Sequence, residues 1–261
     1  QAEDGIRDVE RSRGLGDVYK RQVVRSVKEL GAKIVLLDSE SKANRYADIV
    51  INAIVGAKER CDVKEVNNTR YYYGLKYIIL RKEFHKYWRK KKEISRDIEK
   101  VLLIFGGSDP SNLTSKTLDA ISKYDFKATL VLGPHFTFFD ELGEVLRKCR
   151  GVSVLRDVNN VAELMYESDL VITSLGLTTF EAFCTGTPTI VICQNELQRK
   201  LYQHLSDVVR YLLLKFERTK LIELVDELSD RNTRKEISDY EKKVCDGKGV
   251  ERVKQIILGL V

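Results

Sequence analysis

From Val23 onwards, short apolar runs bounded by turn residues alternate with longer stretches of helical periodicity. The runs predict strands at Ala32 to Leu37, Asp48 to Asn52, Val101 to Phe105, Lys127 to Leu132, Val152 to Leu155, Leu170 to Thr173, Thr189 to Cys193 and Val208 to Lys215. Between them the periodicity predicts helices at Val23 to Leu30, Asn112 to Lys123, Phe138 to Cys149, Val161 to Glu167, Thr179 to Gly186 and Leu197 to Leu205. Three amphipathic stretches close the chain, around Leu221 to Leu228, Lys235 to Val244 and Val250 to Leu260. Buried strands in regular alternation with helices imply a parallel sheet covered on both faces.

The alternation is dense from residue 99 to the end, as expected of one complete, doubly wound α/β domain (99–261). Before it, the pieces in 23–84, including the aromatic run Tyr71 to Leu80 broken by Gly74, are too few for a second complete domain. They read as the remnant of an N-terminal α/β domain. His85 to Asp97 (HKYWRKKKEISRD) is basic with a single tryptophan, Trp88, and reads as an inter-domain linker (85–98) rather than a nucleic-acid contact. Residues 1–22 lack apolar periodicity and resemble a translated sequencing-adapter read-through, so they are set apart as a non-native prefix. The chain opens on Gln1 and its one methionine is Met165, so a fragment is expected.

Composition narrows the class. Of the 261 residues 43% are hydrophobic, ample for a core, and the net charge of +6 permits an anionic ligand without demanding nucleic acid. Five cysteines with no Cys-x-x-Cys pair fit a reducing cytosol, and three histidines (His85, His135, His204) lie too far apart in sequence for a metal motif. No metal and no cofactor are expected. No run reaches the ~18 apolar residues of a membrane span. A cytoplasmic location follows as the expectation, with the oligomeric state left open.

Candidate chemistry gathers at the strand C-termini, where free N–H groups and helix dipoles favour an anion. Three loops are expected on one sheet edge: Gly106-Gly107-Ser108-Asp109, Asp157 to Asn160, and Ser174-Leu175-Gly176-Leu177-Thr178-Thr179. Their glycines let backbone amides approach a ligand, and Thr178 and Thr179 add hydroxyls. Glu181 is placed in the first turn of the following helix, where it can accept from a ribose diol or complement the helix dipole. Gln194, Asn195 and Gln198 follow the next strand and suit sugar hydroxyls, or simply start a helix.

GGSDPSNLT, DVNNVAELMYESDLVITSLGLTTFEAFCTGTP and DGKGVERV together resemble the C-terminal half of the pseudaminic-acid-pathway UDP-sugar hydrolases. Those are similar in turn to spore-coat polysaccharide biosynthesis proteins and are related to the family 28 glycosyltransferases. GLKYIILRKEF and ELGAKIVLLDSESKANRYADIVIN resemble later parts of the hydrolase N-terminal domain, so the likeness covers about residues 29 to 261. It implies a GT-B fold of two Rossmann-like domains, here with the first truncated, and a UDP-sugar substrate held in the cleft.

By position the resemblance assigns Val158 to uracil and Glu181 to the ribose. Gly176, Leu177, Thr178 and Thr179 go to the diphosphate and Gln198, with Gln194 and Asn195, to the sugar, while Gly106, Gly107, Ser108 and Ser174 join the nucleotide site from the loop reading above. It implies attack of water on the anomeric carbon with departure of UDP. The family's base is a histidine in an early Gly-x-Gly-His loop. Gly14-Leu15-Gly16-Asp17 carries aspartate there and is out of register, so no catalytic residue is assigned. A family 28-like glycosyltransferase and an inactive nucleotide-sugar-binding remnant are the alternatives.

Overall fold

The computed structural model describes residues 18–54 and 63–260. The chain divides into two compact units, Gln1–Ile78 with Lys248–Val261, and Ile79–Gly247.

In the first unit a helix, α1 (18–29), leads to β1 (Val35–Leu37) and β2 (Ile49–Asn52), then to β3 (Val63–Val66) and β4 (Thr69–Tyr73). The sheet order is β1-β2-β4-β3, parallel except for the β3–β4 hairpin. Residues 18–22, set apart with the prefix above, are part of α1; the Gly14-Leu15-Gly16-Asp17 string lies outside the described residues. The apolar pattern does not predict strand β3, because VKEV is exposed at every position and so has no buried face. Its readable signal is the turn: Asn67 and Asn68 both have positive φ (51° and 64°), as a two-residue hairpin requires. A small core forms where Ile34, Ala47 and Val50 meet Val24, Leu36 and Tyr71. The last helix, α9 (Gly249–Leu258), is also part of this unit, with Arg252 Nη1 donating to the Lys76 carbonyl at 2.9 Å. The periodicity of the sequence alone places this helix in the 99–261 domain.

The second unit is a six-stranded, wholly parallel sheet in the order β10-β9-β8-β5-β6-β7. Its strands are β5 (Lys100–Ile104), β6 (Lys127–Leu132), β7 (Val152–Arg156), β8 (Leu170–Ser174), β9 (Thr189–Ile192) and β10 (Leu212–Leu213). The helices between and after them are α2 (Leu113–Ile121), α3 (Phe139–Leu146), α4 (Val161–Glu167), α5 (Leu177–Thr185), α6 (Glu196–Tyr202), α7 (Arg218–Glu227) and α8 (Arg231–Val244). Every predicted strand and helix of this half is present; β10 is shorter than Val208 to Lys215 because only Leu212 and Leu213 pair with β9. Helix α5 is buried from Thr179 to its end, and Phe180 and Phe183 each contribute ~1.5–3 kcal/mol by leaving water. It stops at Gly186, whose φ of 74° is the left-handed cap that glycine adopts without penalty.

The basic stretch 85–97 is not a solvated linker but part of this unit, with Tyr87 buried. Its charge serves packing. Lys92 Nζ donates to the carbonyls of Tyr166 and Ser168 at the C-terminus of α4, where the helix dipole favours a cation, and burial pulls its pKa down to about 8. Lys242 Nζ likewise donates to the Tyr87 and Lys90 carbonyls.

One acid is out of place. Glu241 on α8 is buried against Thr189, whose hydroxyl donates to Oε2 at 3.4 Å, and desolvation pushes its carboxyl pKa well above the ordinary value. A raised folded-state pKa adds stability below the unfolded value, near 4.5, and that stability is lost as pH rises toward the folded value. Glu241→Gln, which mimics the protonated acid, should therefore raise the melting temperature at pH 8 by an amount worth on the order of 1 kcal/mol or more. At pH 4 the difference from wild type should vanish. Thermal melts at the two pH values check this.

Candidate functional site

After β5 the chain builds outward through β6 and β7, then returns to build β8, β9 and β10 on the other flank. The order therefore reverses between β5 and β8, and their C-terminal loops diverge there. That is the place where an open parallel sheet offers a crevice with amide donors. The loop 105–112 and the turn 175–176 flank it, and the 193–195 loop after β9 is next to the second. The Asp157 to Asn160 loop follows β7, at the far edge from β5 with β6 between, so Val158 is placed outside the crevice proper. It is half-buried, beside Asp157 at a φ of 52°.

Gly106, Gly107 and Ser108 are exposed at the head of β5. Asp109, the last residue of that loop, organises them. Its carboxylate is buried and accepts from the Leu113 and Thr114 amides at 2.7 and 2.8 Å, capping α2. Burial pushes its pKa up, and those two N–H bonds oppose the shift. Around this cap, Asn112 Oδ1, Ser115 Oγ and Thr117 Oγ1 are buried without a protein hydrogen-bond partner. The signal for Asp109 was present in the sequence as an aspartate four residues before a helix; that for Asn112 was not, since neither its left-handed φ of 49° nor its burial can be read from the local pattern.

Gly133 fixes the same loop from β6. A Cβ on Gly133 would lie 2.2 Å from the Gly106 carbonyl and 2.4 Å from that of Gly107, while the His135 amide donates to Gly107 O at 2.9 Å. Gly133→Ala should therefore shift the 106–107 backbone and destabilise the protein by roughly 1–3 kcal/mol. Urea unfolding followed by far-UV circular dichroism measures it.

Beyond β8, the structure revises the roles expected of several side chains. Thr179 is fully buried; its hydroxyl donates to Ser174 O at 3.0 Å and lies 3.4 Å from the Gly176 amide, so it locks the turn rather than facing outward. Leu177 is exposed and Thr178 half-buried, and both belong to the first turn of α5, as does Thr179. Because α5 starts at Leu177, two residues before the expected start, Glu181 lies in its second turn and does not complement the helix N-terminus. Its carboxylate instead accepts a two-pronged ion pair from Arg81, Nε to Oε1 at 2.7 Å and Nη2 to Oε2 at 3.0 Å. Nothing in the sequence links Arg81 to Glu181, one hundred residues away.

Gln194, Asn195 and Gln198 come together, but largely to hold one another. Asn195 caps α6 by accepting from the Gln198 amide at 3.0 Å, and Gln198 Oε1 accepts from the Gln194 amide at 2.7 Å. Gln194 Nε2 donates to Phe105 O at 2.7 Å, and Ser111 Oγ donates to Gln194 O at 2.7 Å. These two bonds tie the β9 loop to the β5 loop, across the end of β8. Among the described residues no cluster of metal-ligating side chains occurs and no helix is long and apolar enough to cross a membrane.

Two α/β units with parallel sheets, the second a complete doubly wound one, define a fold of the GT-B glycosyltransferase type. The MurG structure of Acinetobacter baumannii superposes with a TM-score of 0.64 at 13% identity, covering 90% of this chain and 69% of that one. The UGT2 of Phytolacca americana, complexed with UDP-2fluoro-glucose and pterostilbene, does so at 0.53 and 16%, covering 84% and 55%. In sequence the chain is 29% identical over 242 residues to the spore coat polysaccharide biosynthesis protein SpsG of Bacillus subtilis, covering 89% of this chain and 71% of that protein. It is 45% identical over 190 residues to an uncharacterized protein of Methanocaldococcus jannaschii, covering 68% of this chain but spanning only 39% of that protein. No family model matches the chain.

Proposed function

We propose that the chain is, or is part of, an enzyme acting on a UDP-sugar in polysaccharide biosynthesis, with the nucleotide seated on the second unit. The observation that carries this reading is the reversal of strand order between β5 and β8, flanked by the Gly106–Gly107 loop and the start of α5. The likeness to a spore coat polysaccharide biosynthesis protein supports the pathway, and the UDP-2fluoro-glucose complex of a protein with this fold supports the ligand class. In this reading the diphosphate meets the amides of Gly106, Gly107 and Gly176 and the side chains of Ser108, Ser174 and Thr178. Uracil lies toward Val158, the ribose on Glu181, and the sugar toward Gln194, Asn195 and Gln198.

The reaction proposed is hydrolysis, favoured by the DGKGVERV and LRKEF strings. Amides aimed at the diphosphate stabilise the charge that develops on the leaving UDP as the anomeric bond breaks. Calorimetry of the folded chain with UDP tests the nucleotide assignment, with binding expected in roughly the micromolar to millimolar range; heat-silent titrations would end it. Following UDP release from UDP-linked amino sugars without acceptor tests hydrolysis. Release that appears only when a saccharide acceptor is added would assign a transferase.

A further inference from the structure

The nucleotide reading leaves two thiols unused, where α5 meets α8. Cys184 lies in the last turn of α5 and Cys245 caps the C-terminus of α8; they are 0% and 1% exposed. Ser238, Lys242 and Cys245 recur at the spacing of one helix face. That face runs along the end of α5: Ser238 Oγ donates to Gly186 O at 2.5 Å, and a Cβ on Gly186 would lie 2.6 Å from Lys242 Cδ. At Cys245 the contact is sulfur to sulfur. The Gly247 amide donates to the Cys245 sulfur, the Cys245 thiol to the Cys184 sulfur, and the Cys184 thiol to the Phe84 carbonyl at 3.8 Å. This relay polarises the pair. The bond from Cys245 holds the Cys184 thiol below its ordinary pKa, against burial and with help from the Lys242 charge. The same bond, together with burial, holds Cys245 well above its own. Burial pushes Cys149 up and Cys193 to about 11, so among the described cysteines the thiolate is favoured at Cys184.

We propose that Cys184 and Cys245 form an oxidisable pair that a peroxide converts to an internal disulfide. Hydrogen peroxide is the oxidant that fits, being small enough to reach a buried pair when the helix ends open locally. The Cys184 thiolate attacks one peroxide oxygen; the O–O bond breaks, and the departing hydroxide takes up the proton that Cys184 gave up. The Cys245 sulfur then attacks the sulfenic sulfur along the line of the existing hydrogen bond. The S–S bond forms, the S–O bond breaks, and the Cys245 proton leaves with the hydroxyl as water. Two sulfurs lose two electrons in all, and one peroxide becomes two waters. The chemistry is independent of the nucleotide assignment.

The test treats the folded chain with hydrogen peroxide, removes the excess with catalase, then unfolds and alkylates it for peptide mapping. The Cys184–Cys245 disulfide should exceed any other pairing by about tenfold or more, with a mass loss of about 2 Da that dithiothreitol reverses. The same treatment in urea should give mixed pairings among the five cysteines, because the fold no longer selects a partner. In Cys245→Ala the trapping reagent dimedone should label Cys184 as its sulfenic acid, since the resolving thiol is gone. In Cys184→Ala, Cys245 should stay a free thiol. Melting temperatures establish that each variant is folded, and where one is not, the wild-type map alone decides. Folded wild type in which both thiols survive peroxide, or in which another pair links first, would overturn the proposal, leaving a packing hydrogen bond only. Over-oxidation of Cys184 with Cys245 still a thiol would overturn it as well.

Discussion

Glu181→Ala should weaken UDP binding by roughly 10- to 100-fold, about 1–3 kcal/mol, while leaving the fold largely intact. The carboxylate is among the buried polar groups of the second unit, and α5 holds it in one place by packing Phe180 and Phe183 on either side of it in sequence. Hydrogen bonds to an ion in such a setting are worth more than those between neutral groups, so losing the acceptor costs most of what the ribose contributes. Stability should change little. The Arg81 left behind is half-exposed and can hydrate, and an ion pair with one such partner is worth at most ~1 kcal/mol after solvent screening. Calorimetry gives the affinity and a thermal melt gives the control; an affinity within twofold of wild type would show that Glu181 does not meet the nucleotide.

The largest effect on stability is expected at Arg234. This residue on α8 has no exposed surface, yet among the described residues no carboxylate neutralises it through a hydrogen bond. Nη1 donates to the carbonyls of Leu228 and Ser229 at 2.6 and 2.8 Å, and Nη2 to those of Ser95 and Arg96, both at 2.9 Å. The first pair lies at the C-terminal end of α7, where unpaired carbonyls and the helix dipole favour a cation. The second pair lies in the segment that enters β5. One guanidinium therefore joins the entry strand to two C-terminal helices. Arg234→Met keeps the stem but leaves the buried Leu228 carbonyl and three part-buried ones without this donor, and should destabilise by about 3–5 kcal/mol. That is a large fraction of the ~5–15 kcal/mol a domain possesses. Urea unfolding of the variant should show a midpoint well below that of wild type. Arg234→Lys should recover only part of the loss, because an ammonium cannot span four acceptors in one plane.

The second unit was legible almost strand by strand. A parallel sheet buried on both faces requires each strand to be an uninterrupted apolar run, and the runs at Val101, Lys127, Leu170 and Thr189 stand out for that reason. Helix ends were legible where a residue type is forced, as at Gly186. Strand β3 was not legible, since an edge strand exposed along its whole length obeys no burial pattern.

The loops themselves, at Gly106–Gly107, Asp157–Asn160 and Ser174–Thr179, were visible as glycine-bearing or capping breaks after apolar runs. What each polar group does there was not. Thr179 looked like a ligand hydroxyl and proves to be a turn lock; Gln194 looked like a sugar contact and also ties two loops together. A short-range pattern names the residues near a strand end but not the direction each side chain takes.

By itself, then, the sequence determined the α/β class, the order of strands and helices in the second unit, and which strand ends carry loops able to approach a ligand. These depend on periodicity and on glycine, both local. Only the tertiary structure decided that β5 and β8 adjoin, that the Gly106 carbonyl leaves no room for a Cβ at Gly133, that Lys92 of the basic stretch caps α4, and that Arg81 grips Glu181. Each of those joins residues far apart in the chain, through contacts whose geometry exists only once the sheet has closed around its core.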